Sequence, residues 1–359
     1  MSGHPGVIVA VTGAAGYMGS QLIRALCADE RVGRVLGFDL RAPDFRSDKF
    51  VFDTVDVRDE RLASRLTGVD VVVHLAFVMD PIEDEEAMRD VNVNGSQNVF
   101  NCAAESGVGK IIYTSSATVY GAHPDNEVPL TEESPLRANL DFSYAAHKLE
   151  VEYIAREFRS DNAKVCLTVF RPAIVFGAGV DNAWSRFIET PILFTVKDHA
   201  PPFQFVHEDD VAAALAFAVF RHLDGVFNLS PRGWLANDEA AGLIGGRRAE
   251  LSERTAFSLM DRLWTTGLAD APAGMLHYVM HPWVMSSAKL TEGGFVCERS
   301  SADTFKETLS NLKPFVRIGR SRFRRSTLRR GAATVAGIAI AAGVLGAARR
   351  LGSPRGDVV

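Results

Sequence analysis

"VTGAAGYMGSQLIRAL", Val11 to Leu26, runs from the end of a β-branched segment into a stretch with helical apolar spacing. Gly13, Gly16 and Gly19 mark the turn between them at three-residue intervals. A turn this tight needs residues without a Cβ, and the helix behind it turns free N–H groups toward an approaching phosphate. Glycines alone serve ordinary turns as well. Asp39, however, stands twenty residues beyond Gly19, at the end of a second strand-like run. An acid there accepts hydrogen bonds from ribose hydroxyls and repels a 2′-phosphate. Strand, spacing and acid together predict a dinucleotide site for NAD rather than NADP. Arg41 is the neighbour that argues the other way.

Working outward, residues 7–13, 32–40, 69–76, 110–116 and 165–172 read as strands, and 19–29, 83–106 and 143–159 as helices. These strands are apolar throughout instead of alternating, as expected when both faces of a parallel sheet are covered. The βαβα order predicts a doubly wound, Rossmann-type α/β fold. Beyond Phe176 the pattern loosens, then "FQFVHEDDVAAALAFAVFRH" and "GVFNLSP" give a strand, a capped helix and a further strand. The division that follows is an NAD domain over 1–180 and 203–231, and a smaller mixed substrate lobe over 181–202 and 232–312. A basic tail, 313–359, carries an uncharged segment at 331–348.

The bulk numbers agree with a folded enzyme-sized chain: 359 residues, 47% hydrophobic, mean hydropathy +0.03. Four scattered cysteines (Cys27, Cys102, Cys166, Cys297) suggest reduced thiols in a cytoplasmic setting, not a disulfide framework or a zinc site. No metal site is expected, because His123, His277 and His281 form no ligand pattern. The net charge of −5 is uneven: ten Lys and Arg and no acid lie between Lys313 and Arg350, leaving residues 1–312 at −15. So acidic a body argues against nucleic acid as a partner. The tail over 317–350 reads as a marginal membrane-contacting segment, attached to the inner face of a membrane, or else as a soluble helix or disordered end.

Several motifs in order give the chain a resemblance to the extended short-chain dehydrogenases/reductases, the NAD-dependent epimerase/dehydratase family. "TGAAGYMG" resembles the family's phosphate loop, which brings Tyr17 and Met18 to the cofactor beside Gly13, Gly16 and Gly19. "DVRD" resembles its adenine-contacting pair, here Asp56 and Val57. "VVHLA" implies that Leu75 and Ala76 line the cofactor, and "NVNGSQN" implies the same of Asn92. "TSSATVYG", "YAAHK", "RPAIVFG" (with Pro172) and "FVHEDDVA" complete the series over about residues 7–231. Asn92 and Asn98 have a simpler reading as cross-links between helix and sheet. An acid of His207-Glu208-Asp209-Asp210 reads as the cap of a helix beginning at Val211, and Tyr120 as a packed aromatic. Homodimers are common among such folds, so a homodimer is expected by analogy.

Within "DFSYAAHKLEVE" (141–152), Tyr144 and Lys148 are one helical turn apart on one face. Hydride transfer from a carbinol needs a base for the hydroxyl proton, and a free tyrosine, with a pKa of about 10, is too weakly ionised. A nearby ammonium and the positive ring of oxidised NAD stabilise the phenolate. The resemblance adds Ser116 as the hydroxyl that positions the substrate oxygen. The catalytic set is therefore Ser116, Tyr144 and Lys148, with the last two also at the cofactor. Ala117-Thr118 stand where the family's sugar dehydratases carry Asp-Glu, which disfavours dehydration and leaves epimerisation or simple oxidation. The family's pyrophosphate-gripping Arg has no counterpart in "APPFQFVH". Arg186, Lys197 or Arg232 could substitute for it, and Trp184, Phe187, Phe194 and Trp283 would suit an apolar alcohol in place of a nucleotide sugar. A catalytically silent NAD sensor is the competing class, against which the intact triad counts.

Overall fold

In the computed structural model, which describes residues 6–80, 82, 84–318 and 321–324, the strands in chain order are β1 (Val7–Thr12), β2 (Val32–Asp39), β3 (Phe50–Thr54), β4 (Val71–His74), β5 (Lys110–Thr114), β6 (Cys166–Pro172), β7 (Ile174–Phe176), β8 (Ile192–Val196), β9 (Phe205–His207), β10 (Gly225–Leu229), β11 (Arg247–Leu251), β12 (Phe315–Ile318) and β13 (Ser321–Arg324). Seven of them form one parallel sheet in the order β10-β6-β5-β4-β1-β2-β3. The order reverses between β1 and β4, and a crevice opens beyond their C-terminal ends at such a switch point.

The uniformly apolar strands are explained by two separate cores. Val9, Val11, Val71, Val73 and Ile112 face one layer, containing helices α1 (Tyr17–Ala28) and, later in the chain, Glu208–Phe220. Their neighbours Ala10, Val72, Ile111 and Tyr113 face the other, with helices α2 (Gly95–Glu105) and α3 (Ser143–Asp161). Each strand is hydrophobic on both sides because each side is covered.

Several expectations are corrected. Strand β3 adds to the expected strands: it is a short edge strand with no fully buried residue, so its sequence pattern is weak. The helix expected over 83–106 is three pieces: Glu85–Arg89, a π-helical turn at Asp90–Asn94, and α2. The helix expected from Val211 begins at Glu208, and its cap is His207 itself, whose Nδ1 accepts from Asp209 N at 3.1 Å. The two lobe segments meet where β8 pairs in parallel with β11. Within the basic stretch β12 and β13 pair antiparallel, and Arg317 and Arg322 engage the buried carboxylate of Glu189 at 3.4 and 2.5 Å. Among the described residues no helix is long and apolar enough to cross a membrane, and 331–348 lies outside them.

Candidate active site

The glycine turn sits at the switch point. Gly13 has φ +72°, and a Cβ there would lie 2.6 Å from Ala76 N, so any side chain would push the β4 loop away. Gly19 is closed just as tightly: a Cβ would come 2.1 Å from Gly13 O. Gly16 caps α1 without a side-chain hydrogen bond, which leaves the first-turn N–H groups open to an anion. Asp39 ends β2 and reaches back to the turn, its Oδ2 accepting from Ala15 N at 3.0 Å. Open helix N-terminus, Cβ-free turn and acid together match the adenosine-diphosphate half of NAD.

The other expected cofactor residues divide. Leu75 and Ala76 continue β4 along the crevice, and their N–H groups turn toward Thr12 Oγ1 at 3.3 and 3.4 Å. Tyr17 packs its ring against Gly179, and Met18 packs half-buried on the core. Pro172 ends β6, two strands from β4. The Asp56 carboxylate turns to the Arg58 guanidinium at 2.6 Å, which holds its pKa below the usual carboxylate range. Val57 is buried, and Asn98 Nδ2 donates to its carbonyl at 2.7 Å, the cross-link expected of Asn98. Asn92 is fully buried and spends its amide on the backbone of Val78, accepting at 2.6 Å and donating at 3.0 Å. It therefore anchors the loop after β4, and its position in the π turn is what aims it there.

Behind that loop runs a buried polar chain. Thr12 Oγ1 lies 2.7 Å from His74 Nδ1, His74 Nε2 lies 2.9 Å from Ser96 Oγ, and Ser96 donates to Asn92 O at 2.5 Å. With Ser96 donating onward, Nε2 carries the proton and Nδ1 accepts from Thr12. Burial, helped by the Lys148 charge, drives the His74 pKa down to about 3, so the ring is neutral.

The face of α3 meets the end of β5 in step. Lys148 Nζ donates to Thr114 O at 2.7 Å, Ser115 Oγ donates to Glu152 Oε1 at 2.5 Å, and Tyr144 lies close enough to the Ser116 side chain for it to act on the phenol. Residues i, i+4 and i+8 of the helix thus face the last residue of β5 and the two serines that follow it. Burial pushes the Tyr144 hydroxyl up to about 12, with the Ser116 side chain pulling the other way. Burial lowers Lys148 to about 7, opposed by Glu152. Phe77 stands over both groups: its ring is 3.5 Å from Lys148 Nζ and edge-on to Tyr144 at 5.7 Å. The glycine turn touches Leu75-Ala76 and the next residue touches the Tyr–Lys pair, so a single three-residue stretch ties the two halves of the crevice together.

Two features were not anticipated from sequence. One is Phe77. The other is the buried ion pair of Glu152 with Arg171, whose Nε donates at 2.8 Å and whose Nη1 donates to Tyr120 Oη, also at 2.8 Å. Tyr120 Oη in turn donates a hydrogen bond to Asn228 Oδ1 at 2.6 Å, so it is a packed, fully engaged aromatic. The signal available was Glu152 continuing the Tyr144–Lys148 face by one more turn.

The model of the NAD dependent epimerase/dehydratase family matches residues 9–229. An uncharacterized protein of Mycobacterium tuberculosis is 28% identical over 247 residues, which is 66% of either chain, so the match spans just under two thirds of that relative. The N-acetyl-alpha-D-glucosaminyl-diphospho-ditrans,octacis-undecaprenol 4-epimerase of Escherichia coli O157:H7 is 31% identical over 175 residues, 47% of this chain and 49% of that one. Among solved structures, a dTDP-glucose 4,6-dehydratase from Streptomyces venezuelae with NAD bound superposes with TM-score 0.67 at 22% identity, covering 86% of this chain and 97% of that one. A UDP-glucuronic acid 4-epimerase from Bacillus cereus, in complex with UDP-glucuronic acid and NAD, gives 0.67 at 18% identity, covering 86% and 99%. These structures share the fold of this protein. With the glycine turn, Asp39 and the seven-stranded sheet in place, the chain belongs to the NAD-dependent epimerase/dehydratase family of enzymes, whose cofactor is NAD.

Proposed function

We propose that the protein oxidises a carbinol, and in the epimerase manner can reduce the resulting ketone from its other face, using Tyr144 as acid and base. The observation that carries this reading is the Tyr144–Lys148–Glu152 face of α3 set against residues 114–116, with Lys148 held by Thr114 O and Glu152 by Ser115 Oγ. Bound NAD supplies the hydride acceptor and donor. Ser116 holds the substrate oxygen, and as its C–H bond breaks the O–H proton passes to the Tyr144 oxygen. In its protonated form Lys148 supplies the positive charge that lowers the cost of the phenolate, and the Phe77 ring packs over it at 3.5 Å. Asn92 acts as a positioning residue, fixing the loop that bears Phe77. Ala117 and Thr118 are buried and bring no acid, which favours epimerisation or oxidation over elimination. The substrate class we favour is a sugar, in keeping with the nucleotide-sugar and undecaprenyl-diphosphate-sugar enzymes to which the chain is similar.

Tyr144→Phe should keep NAD affinity, measured by calorimetry, while turnover falls by about 10²–10⁴. Turnover is read as the absorbance of reduced NAD, or as isotope exchange into it, over a panel of UDP-hexoses and alkyl-phosphate hexoses. Full activity in this variant would refute the assignment.

A further inference from the structure

Ser116 and Tyr144 both belong to the NAD domain, yet one residue of the lobe touches the supports of each. Tyr278 is fully buried in the His277–Met280 helix. Its Oη donates to Thr118 O at 2.9 Å. Thr118 lies in the tight turn Ala117–Tyr120, and its N–H donates to Ser116 Oγ at 3.2 Å. The Tyr278 ring meets the Phe142 ring at 5.9 Å, and Phe142 packs on Tyr144 at 5.7 Å. Tyr278 thus reaches Ser116 through a single residue and Tyr144 through a single ring.

Its own surroundings fix where it stands. Trp283 Nε1 donates to Tyr278 O at 3.0 Å, and the two rings meet edge to face at 4.9 Å. The same lobe segment lies hard against the approach to α3. A Cβ on Gly274 would come 2.4 Å from Asp141 O, and His277 Nε2 is 3.0 Å from Asp141 Oδ2. Burial pushes the Tyr278 hydroxyl above its ordinary pKa, so it keeps its proton and remains a donor. Behind Trp283, Trp184 stacks at 5.8 Å and walls a small apolar cavity of about 70 Å³ that Phe194, Phe203 and Ala241 also line. On the lobe side Tyr278 therefore meets rings, and its hydroxyl serves the NAD domain.

Ser116 and Tyr144 come from separate segments, and a proton moves efficiently only while the groups that share it stay within hydrogen-bond reach. We infer that Tyr278 is a positioning residue, which sets the Ser116 hydroxyl and the Tyr144 phenol against each other from the lobe. Such a role rests on the acid–base chemistry proposed for Tyr144, whereas the placement of the phenol does not.

The test compares the natural full chain, Tyr278→Phe and Leu290→Ala, each saturated with NAD. Tyr278→Phe deletes only the hydroxyl. Leu290, buried on the Ala288–Glu292 helix, takes no part in these contacts and controls for lost stability. The chain has six tyrosines, and in NMR of Cζ-labelled tyrosine the signal missing from Tyr144→Phe is that of Tyr144. That signal should move in Tyr278→Phe and stay in Leu290→Ala. Turnover is measured on the same samples, and kcat should fall about 10–100-fold in Tyr278→Phe while KM and NAD affinity hold. The rise of kcat with pH in oxidation should move up by about half a unit, because Ser116 then supports the phenolate less. An unmoved Tyr144 signal in folded Tyr278→Phe overturns the role, as does an equal loss of kcat in Leu290→Ala. If Tyr278→Phe fails to fold, Trp283→Phe decides. Loss of the N–H that holds Tyr278 should move the Tyr144 signal, and an unmoved signal overturns the role. A moved signal without turnover of any carbinol by the natural chain would refute the Tyr144 reaction and leave the placement standing. Turnover that Tyr144→Phe abolishes and Tyr278→Phe spares would refute the positioning role and leave the reaction standing.

Discussion

The crevice at α3 and the cavity in the lobe are built on opposite principles. Along α3, Tyr144, Lys148 and Glu152 each have a named polar partner, and Arg171 neutralises the buried charge behind them. Around the lobe cavity the walls are aromatic and aliphatic. A satisfied polar network tolerates little change, because loss of one member strands the others in a low dielectric. An apolar cavity has no such debt. The two regions should therefore respond very differently to substitution.

The largest contrast is expected at Glu152→Gln. The side chains of Glu152 and Arg171 are 4% and 3% exposed, so removing one charge leaves the other buried and uncompensated. Breaking such a pair costs about 3–5 kcal/mol, read from urea unfolding. A loss below about 1 kcal/mol would show that the network is more hydrated than its burial implies.

A smaller effect should follow from Lys148→Met through pH. The folded-state pKa of about 7 lies below the ordinary lysine value of 10.5, so between those limits the unfolded chain binds the proton that the folded chain has given up. Stability of the natural chain without NAD should then rise with pH across that window, through this group, and reach its floor below about pH 7. Lys148→Met removes this contribution, so the difference in Tm between the two proteins should narrow or change sign from pH 7.5 to pH 9.5. A constant difference would mean that Lys148 keeps its proton when folded.

The smallest effect is expected at Ala241→Phe, which fills existing space. Its unfolding free energy should stay within about 1 kcal/mol of the natural chain, well inside the usual penalty for overpacking a filled core. A loss as large as that of Glu152→Gln would abolish the contrast between the two regions.

Features set by local chain geometry were legible in sequence. The glycine turn needed its spacing, Asp39 its distance from Gly19, and Tyr144 and Lys148 their one-turn interval. Those are properties of a few consecutive residues, and local physics fixes them. The same logic could not reach Asn92. A π turn shifts the register of the helix and aims the amide at Val78, with nothing in "NVNGSQN" to announce it. Nor could it pair Glu152 with Arg171, nineteen positions apart on a helix and a strand.

The sequence by itself determined that a strand, a glycine turn and a helix would make a dinucleotide site, and that a tyrosine and a lysine would share a helix face nearby. Tertiary structure decided what that face meets: Thr114 at the end of β5 with the two serines after it, the Phe77 ring and the Arg171 guanidinium. It also decided that aromatic residues from 176 to 305 would leave an apolar cavity between them. Such contacts depend on the packing of distant segments, where side-chain shape and burial act together and periodicity along the chain carries no record of the partner.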